Sequence, residues 1–363
     1  MLTERNLNMK KSLYCGIDLH SSNAVYVILD ENDKVVFKKR LPNKLATVLD
    51  ALKLFRKKIA IVAVESTFNW YWLVDGLMDA GYPVCLANPA AIDQYDGIKQ
   101  ANDLTDATFI AHLARLGILP TGYIYPKEYR PVRDLLRRRS LLVKYQTSTK
   151  LSLQNMFMRQ TGQGFSYLGI RKFSDKELGM LLSDNEHLLF VTSQQLDLID
   201  MLKKKIKQFE KMILAKAELK PEYEHLLTIP GVGVILALMI MLETGDIQRF
   251  AKVGNYTSYC RCVRAHCTSN GKVKGKNNSK NGNKYLSWAF VEAVHHAKGC
   301  CPRAKKFYDR KFSKRNGALA TKALAAKWSK AAYHIMKNQE AFDLNKMFGW
   351  HNDAVVDLVK GLD

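Results

Sequence analysis

The sequence lacks any apolar run long enough to cross a membrane. Its longest one, VILALMIML (Val234–Leu242), falls well short of the roughly 20 residues that a membrane helix needs. The first residues also lack the apolar core of a secretion signal, because Asp18 interrupts the candidate stretch. These absences predict a cytoplasmic protein.

Cysteine is scarce and is poorly spaced for metal binding. Seven cysteines in 363 residues would mostly be reduced thiols in the cytoplasm. One part of the chain gathers them with histidines: Cys260, Cys262, Cys267, His295, His296, Cys300 and Cys301. Their C-x-C-x4-C and HHxxxCC spacings differ from the paired ligands of zinc fingers, so a zinc site is not expected.

Acidic residues are few: 34 against 56 lysines and arginines, a net charge of +22. Such an excess favours a polyanionic partner, most commonly nucleic acid, over a merely basic surface, because the charge is uneven. Residues 255–315 hold fifteen basic residues and two acids, a net charge of +13. Residues 127–159 hold nine basic residues and two acids, a net charge of +7.

The first third of the chain has the pattern of an α/β layer fold. Residues 12–30 indicate two strands joined by a turn, and VVFKKRL indicates a third antiparallel strand. Helices at about 44–57, 70–80 and 104–116 then alternate with the apolar strands IAIVAVES and PVCLA. We expect four parts: a domain at 1–126, a basic helix and arm at 127–220, a mainly α-helical domain at 221–345 and a tail at 346–363.

Two patterns organise the rest of the chain. A seam spaced 3, 4, 3 and 4 residues apart predicts a coiled-coil arm for self-association, although a plain amphipathic helix fits equally well; its members are Ile199, Leu202, Ile206, Phe209 and Ile213. The segment IPGVG separates two apolar helical stretches, as in a helix-hairpin-helix. Gly231 and Gly233 would allow a tight turn whose N–H groups meet a phosphate, and an ordinary turn within a core is as plausible.

Four carboxylates carry the strongest chemical signal. Asp18 and Glu65 each end an apolar strand, whereas Asp103 and Asp106 lie on one face at the start of a helix. Each has a simple structural explanation alone: a turn residue, a helix cap or a first-turn acid. Together they would repel one another unless they hold cations, and such oxygen ligands suit Mg²⁺. A two-metal site of this kind can act on a phosphodiester.

The order GID, ES and NDxxDA resembles the RuvC/RNase H-like nuclease core of the DEDD transposases of insertion sequences. That family adds a second domain with a Ser-Gly-Gly-Lys motif and a Lys-x-Gly-Asn stretch. Residues 269–272 (SNGK) and 280–283 (KNGN) correspond to them, with Asn270 in place of a glycine. Asn102 likewise replaces a more usual threonine. The resemblance covers nearly the whole chain.

The resemblance implies a transposase or recombinase that acts on donor and target DNA. It implies that Ser269 attacks a DNA phosphodiester and forms a covalent phosphoserine, although a serine that only binds phosphate is an alternative, as is Ser279 as the nucleophile. Cations that could balance the transition state lie around it; these are Arg261, Arg264, Lys272, Lys276, Lys280 and Lys284. His266 is near in sequence, but no activating pair is evident.

The family further implies a homodimer or homotetramer and, in some members, a non-coding bridge RNA that selects the DNA. The basic helix is then a candidate backbone contact for RNA or DNA; its candidate residues are Arg133, Arg137, Arg138, Arg139 and Lys144. A solvated basic helix is the alternative. On DNA, the protein would be associated with the nucleoid.

Three other functions fit parts of the sequence. A junction-resolving nuclease would use the carboxylates without the serine. An actin-like phosphotransferase shares a first phosphate loop like GIDLHSSNAVYVILD, but its later Gly-rich nucleotide motifs are not evident here. An RNA-binding protein without catalysis would tolerate the loss of all four carboxylates.

Overall fold

The computed structural model describes residues 12–92, 102–217, 219–263, 266–270, 272–276 and 281–349. The chain divides after Lys127 into two compact units. The first unit is a mixed α/β domain, and the second is mostly helical. The four domains expected from the sequence divide the chain more finely and remain predictions.

The first unit is built on a six-stranded sheet with the order β3-β2-β1-β4-β5-β6. The strands are β1 (Leu13–Leu19), β2 (Asn23–Leu29), β3 (Val35–Pro42), β4 (Ile59–Glu65), β5 (Val84–Ala87) and β6 (Thr121–Gly122). β1, β2 and β3 pair antiparallel, β1, β4 and β5 pair parallel, and β6 pairs antiparallel with β5. The predicted antiparallel strands followed by alternating helices and strands are therefore confirmed, whereas the short β6 was not predicted.

Helices cover both faces of this sheet. They are α1 (Leu45–Leu52), α2 (Tyr71–Asp79) and α3 (Asp103–Arg115). α1 is shorter than predicted because its chain continues as a 3-10 turn at Lys53–Phe55. Residues of α1 and α2 pack against one face, where Ile17 and Tyr26 are fully buried. On the other face, Val25 and Val27 pack against α3. Since side chains alternate along a strand, Gly16 and Asp18 belong to the α3 face.

The described part of the second unit consists of helices and one β-hairpin. The long helices are α4 (Arg130–Thr161), α7 (Glu186–Lys216), α11 (Lys284–Cys300) and α13 (Gly317–Asn338). The shorter ones are α5 (Tyr167–Ile170), α6 (Asp175–Leu181), α8 (Glu222–Leu227), α9 (Val234–Thr244), α10 (Val253–Tyr259), α12 (Pro302–Phe312) and α14 (Leu344–Phe348). The hairpin strands are β7 (His266–Ser269) and β8 (Lys272–Lys276).

The predicted coiled-coil seam is buried within the chain. Ile199 packs with Leu153 and Phe157 of α4, and Ile213 belongs to the same apolar cluster as Val132 and Leu136, near the other end of α4. α4 and α7 therefore lie antiparallel along each other. This corrects the expectation that the seam serves self-association: its apolar face is already covered by the basic helix of the same chain.

The Pro-Gly-Val-Gly turn joins α8 to α9, as the sequence predicted. Gly231 has φ +83°, and a Cβ there would lie 2.2 Å from the carbonyl oxygen of Ala293 on α11. The indole of Trp328 donates to the carbonyl of Pro230 at 3.0 Å. The first glycine of the turn is thus required for close packing against α11, whereas a Cβ added to Gly233 would meet no atom within 4 Å.

The apolar run VILALMIML forms most of α9, which lies inside the core. Leu238, Met239 and Ile240 are fully buried, so the run is explained by packing against α11 and α13. Cys260 and Cys262 are buried in the same cluster. Within the described residues, the helices are all too short or too polar to cross a membrane.

Candidate active site

The carboxylates Asp18 and Glu65 lie side by side at one edge of the sheet. Ile17 of β1 pairs with Val64 of β4 in a parallel ladder, so the next residue of each strand follows at the same edge. Asp18 is buried, and Glu65 is half-buried. Parallel strands thus bring together two acids that are 47 positions apart in the sequence.

The start of α3 supplies the other two acids. Asn102 caps the helix, because its side chain accepts the N–H of Thr105 at 3.0 Å. An asparagine does this as well as a threonine, which explains the departure noted in the sequence. Asp103 and Asp106 then occupy the first turn.

Gly16 allows α3 to approach the strand that carries Asp18. A Cβ on Gly16 would lie 2.1 Å from the carbonyl oxygen of Ala107 and 2.6 Å from the amide nitrogen of Ala111. Real Cβ atoms do not approach other heavy atoms so closely, so any side chain here would displace the helix. The glycine of the GID motif therefore sets the distance between the first and last acids of the site.

A histidine lies among these acids. The Nε2 atom of His20 is 3.1 Å from Oδ2 of Asp18 and 3.3 Å from Oδ2 of Asp103. One ligand atom from each of the three residues lies within 4.8 Å of the others. Arg40 on β3 donates to Oδ2 of Asp103 at 2.6 Å and to Oδ1 of Asn23 at 2.8 Å.

The electrostatics of this edge reflect crowded negative charge. The pKa of Glu65 is raised to about 8, by burial first, then by its interaction with Asp18 and by the charge of Asp106. The pKa of Asp106 is also raised, by burial first and then by the charges of Asp18 and Asp103. Asp103 differs, because the hydrogen bond from Arg40 lowers its pKa. Acids that are unfavourable together without a counter-charge form a donor set that fits a divalent cation.

The sequence prediction missed two residues of this site. His20 follows Asp18 by two positions in CGIDLH, so its proximity could have been inferred from the strand end. Arg40 lies on β3 and reaches Asp103 only because two antiparallel pairings place it beside the acids. Its sequence neighbours give no comparable signal.

In the second unit, the predicted nucleophile Ser269 ends β7 and pairs with Lys272 at the start of β8. Asn270 follows β7 as a turn residue. Asn270 has φ +52°, a left-handed conformation that glycine and asparagine adopt most readily. Asparagine can therefore take the place of the family's glycine here. The side chains of Ser269 and Lys276, and the whole of Arg264, Ser279 and Lys280, lie outside the described residues.

A buried network precedes α11. Asn283 donates to Oε2 of Glu243 at 2.7 Å and caps α11 by accepting the N–H groups of Tyr285 and Leu286. Arg137 binds the same buried Glu243 through two bonds of 2.5 and 2.8 Å. Its guanidinium also lies 4.7 Å from the centre of the Tyr285 ring.

The backbone just before α11 is constrained as well. Gly282 has φ +90°, and a Cβ there would lie 2.5 Å from the carbonyl oxygen of Tyr259. Arg261 donates to the carbonyls of Asn281 and Gly282 at 3.1 and 3.0 Å. Gly282 and Asn283 of the KNGN stretch are therefore held in place at the start of α11.

The predicted nucleic-acid contacts fall into two groups. Arg133 is buried, whereas Arg137 binds Glu243 and Arg139 binds Glu210 at 2.7 Å, so the last two are engaged in the fold of the second unit. The exposed residues are Arg138, Lys144, Lys272 and Lys284. Gly233 lines an open groove together with Arg139 and Trp288.

Comparisons with known proteins match both halves of the chain. Residues 15–161, which contain all four carboxylates, match a transposase profile of the IS110 DEDD type. Residues 223–309, which contain the serine hairpin, match the profile described as the transposase IS116/IS110/IS902 family.

Individual relatives agree with the profiles. The transposase for insertion sequence element IS1111A of Coxiella burnetii is 23% identical over 93% of each chain. The transposase for insertion sequence element IS1533 of Leptospira borgpetersenii is 24% identical over 66% of this chain and 72% of its own length. An uncharacterised 43.6 kDa protein of insertion element IS110 of Streptomyces coelicolor is 27% identical over 32% of this chain and 28% of its own length.

Proposed function

Because the chain belongs to the IS110 family of insertion-sequence transposases, we propose that it cuts and rejoins DNA with two sets of groups. The first set is the carboxylate edge, defined as Asp18, Glu65, Asp103 and Asp106, with a divalent cation, Mg²⁺. The second is Ser269, which forms a phosphoserine with the DNA. The enzyme class, a DNA transposase, follows from the family itself.

One observation supports this proposal above the others: the four acids interact at one sheet edge. Nε2 of His20 lies 3.1 Å from Asp18 and 3.3 Å from Asp103, and burial followed by the charges of Asp18 and Asp103 raises the pKa of Asp106. The strand order, with three antiparallel strands beside two parallel ones, is consistent with a RuvC-like nuclease core. If the acids served only as a turn residue, a helix cap and a first-turn acid, nothing would require them to lie close together.

The bound cation would stabilise the oxygens that gain charge when a phosphodiester is cleaved. The chain's own groups have separate roles. Asp18, Asp103 and Asp106 would hold the cation, and Glu65 would complete the set. Gly16 keeps α3 against β1, so the acids of both elements can act on one phosphate.

In the serine step, the Oγ–P bond forms while the bond from phosphorus to a sugar oxygen breaks. The sugar oxygen leaves and takes up a proton, and the serine hydroxyl releases one. A hydroxyl of a second DNA strand then attacks the phosphoserine, which restores the serine and joins the strands. The positively charged residues at 255–315 would balance the phosphate charge during both transfers.

We also propose contacts with donor and target DNA and with a bridge RNA. The exposed Arg138 and Lys144 support such a contact on α4, as does the net charge of +13 over residues 255–315. A homodimer or homotetramer would bring two DNA ends together, but its surface is not the α7 seam, which α4 covers.

A strand-cleavage assay on DNA carrying the element ends tests the cation site. We expect Asp18→Asn and Asp106→Asn to lower the single-turnover rate by about 10²-fold to 10³-fold or more, because each removes a group that stabilises the transition state. Asp50→Asn, a change at an exposed acid on α1 of the same unit, is the matched control and should cleave normally. Near-normal cleavage by both site variants would overturn the proposed role of the carboxylate edge.

A further inference from the structure

The backbone of His20 is held by three separate parts of the first unit. Its N–H donates to the carbonyl of Asn23 at 2.9 Å. Its carbonyl accepts the side-chain amides of Asn43 at 3.0 Å and of Asn69 at 2.9 Å. The backbone of the residue therefore has a fixed place beside β1.

The ring nitrogen that faces the acids is buried and lacks a hydrogen bond. Nε2 of His20 lies near Oδ2 of both Asp18 and Asp103, yet within the described residues it makes no hydrogen bond. A buried polar atom without a hydrogen bond is unfavourable by about 1–3 kcal/mol, so its retention beside two carboxylates calls for an explanation.

The three atoms have the separations expected for ligands of one ion. They all lie within 4.8 Å of one another. Ligands bound at about 2.1–2.3 Å around one octahedral ion are roughly 3–4.6 Å apart. Arg40 bonds to Oδ2 of Asp103, but a carboxylate has about four lone-pair sites and can bind both groups.

We propose that His20 is a ligand of the divalent cation held by Asp18 and Asp103, and that it makes the site bind Mn²⁺ more tightly than Mg²⁺. This inference depends on the proposed cation site and adds a nitrogen to its four acids. Mg²⁺ prefers oxygen ligands, whereas an imidazole nitrogen is a good ligand for transition metals. Mg²⁺ would still bind through the carboxylates alone.

Pulsed electron paramagnetic resonance of the full chain with Mn²⁺ tests this directly. We expect the signal of a directly bound ¹⁴N nucleus in the unaltered protein and its loss in His20→Gln. His112→Gln is the matched control, since His112 belongs to the same unit, has an equally exposed side chain and pairs with Asp33. It should keep the nitrogen signal.

Titration calorimetry gives a second readout. In His20→Gln, the Kd for Mn²⁺ should rise roughly tenfold or more, while the Kd for Mg²⁺ should change less than about twofold. Circular dichroism should show that the variant is folded. If it is not, the nitrogen signal of the unaltered protein still decides the question.

The possible failures are distinguishable. Mn²⁺ bound without a nitrogen signal, or with a signal that survives in His20→Gln, would overturn the role of His20 and leave the carboxylate site standing. An equal loss of Mn²⁺ and Mg²⁺ affinity in His20→Gln would also overturn the proposal. If the unaltered protein bound neither ion, both the inference and the proposed cation site would be wrong.

Discussion

The carboxylate edge of the first unit and the network of Arg137, Glu243 and Asn283 in the second are built in opposite ways. At the edge, like charges are crowded into the site itself, and burial and mutual repulsion raise the pKa values of Glu65 and Asp106. In the network, Arg137 and Asn283 both bind the buried Glu243. Under the proposed function a cation completes the first arrangement, whereas the bonds of the second lie within the protein.

This difference has consequences for stability. Removing a charge from the edge relieves repulsion, so it should harm activity and spare the fold. Removing a charge from the network leaves a buried partner unpaired, so it should harm the fold first. Four substitutions distinguish these cases.

The largest effect is expected in the second unit. Arg137→Ala leaves the fully buried Glu243 without its cation and should lower the free energy of unfolding by about 3 kcal/mol or more. Hydrogen exchange of α9 and α11 measures it. Arg138→Ala, one residue away and exposed, should change protection by less than about 0.5 kcal/mol. An equal loss of protection in the two variants would mean that the network does not stabilise α9 and α11.

A smaller effect should follow from Gly16→Ala in the first unit. The added methyl group must displace α3, which should cost about 1–3 kcal/mol of stability and weaken cation binding. Hydrogen exchange of β1 and α3, together with Mn²⁺ titration, measures both results. Gly122→Ala is the control, because its Cβ would meet the nearest atom at an ordinary 3.6 Å. Unchanged cation affinity in Gly16→Ala would show that the helix position does not matter.

The third substitution should raise the stability of the protein, whereas the first two lower it. In the presence of a chelator at pH 7, Asp106→Asn removes one of several crowded charges and should raise the stability of the first unit by up to about 1 kcal/mol. Thermal unfolding measures it, and the cleavage assay should show the accompanying loss of activity. A clear loss of stability would contradict the account of the edge as electrostatically strained.

The smallest effect on stability is expected at Asp33. Unlike the crowded acids of the carboxylate edge, this acid is paired with basic side chains. Its pKa is lowered, mainly by the hydrogen bond from Arg115 and also by His112. Because the folded pKa is the lower one, this pairing stabilises the protein above the unfolded pKa of about 3.9 and stops doing so as the pH falls through the folded value. The site is exposed, so Asp33→Asn should cost roughly 0.5 kcal/mol at pH 7.

The measurement for Asp33 is thermal unfolding from pH 7 to pH 2. The difference in unfolding temperature between Asp33→Asn and the unaltered protein should disappear at the acidic end of this range. Asparagine suits the φ of +61° at this position, so the backbone should not contribute. If the difference in unfolding temperature persisted at pH 2, the loss of stability would have a cause other than the ion pair.

Much of the carboxylate edge could be predicted from the sequence because its members sit at the ends of regular elements. Asp18 and Glu65 end apolar strands, and Asp103 and Asp106 start a helix, so topology alone brings them together. Arg40 could not be predicted, because it depends on which residues face each other across β2 and β3.

The second unit was harder to predict for a related reason. The spacing of Ile199 to Ile213 indicates an apolar seam correctly, but periodicity cannot identify the partner helix, which is α4. The arginines of the basic helix likewise look alike in the sequence. Only their positions around the helix separate Arg137, which faces Glu243, from the exposed Arg138.

The central claim, that a serine of the second unit attacks DNA with the help of the carboxylate edge, is tested most directly by trapping the covalent intermediate. DNA nicked near the cut site should give a protein–DNA adduct that survives denaturation, and peptide mapping should place it on Ser269. Ser269→Ala should lose the adduct while still binding DNA, and Ser279→Ala should keep it. DNA recombination without any trapped adduct, or an adduct that persists in Ser269→Ala, would contradict the account.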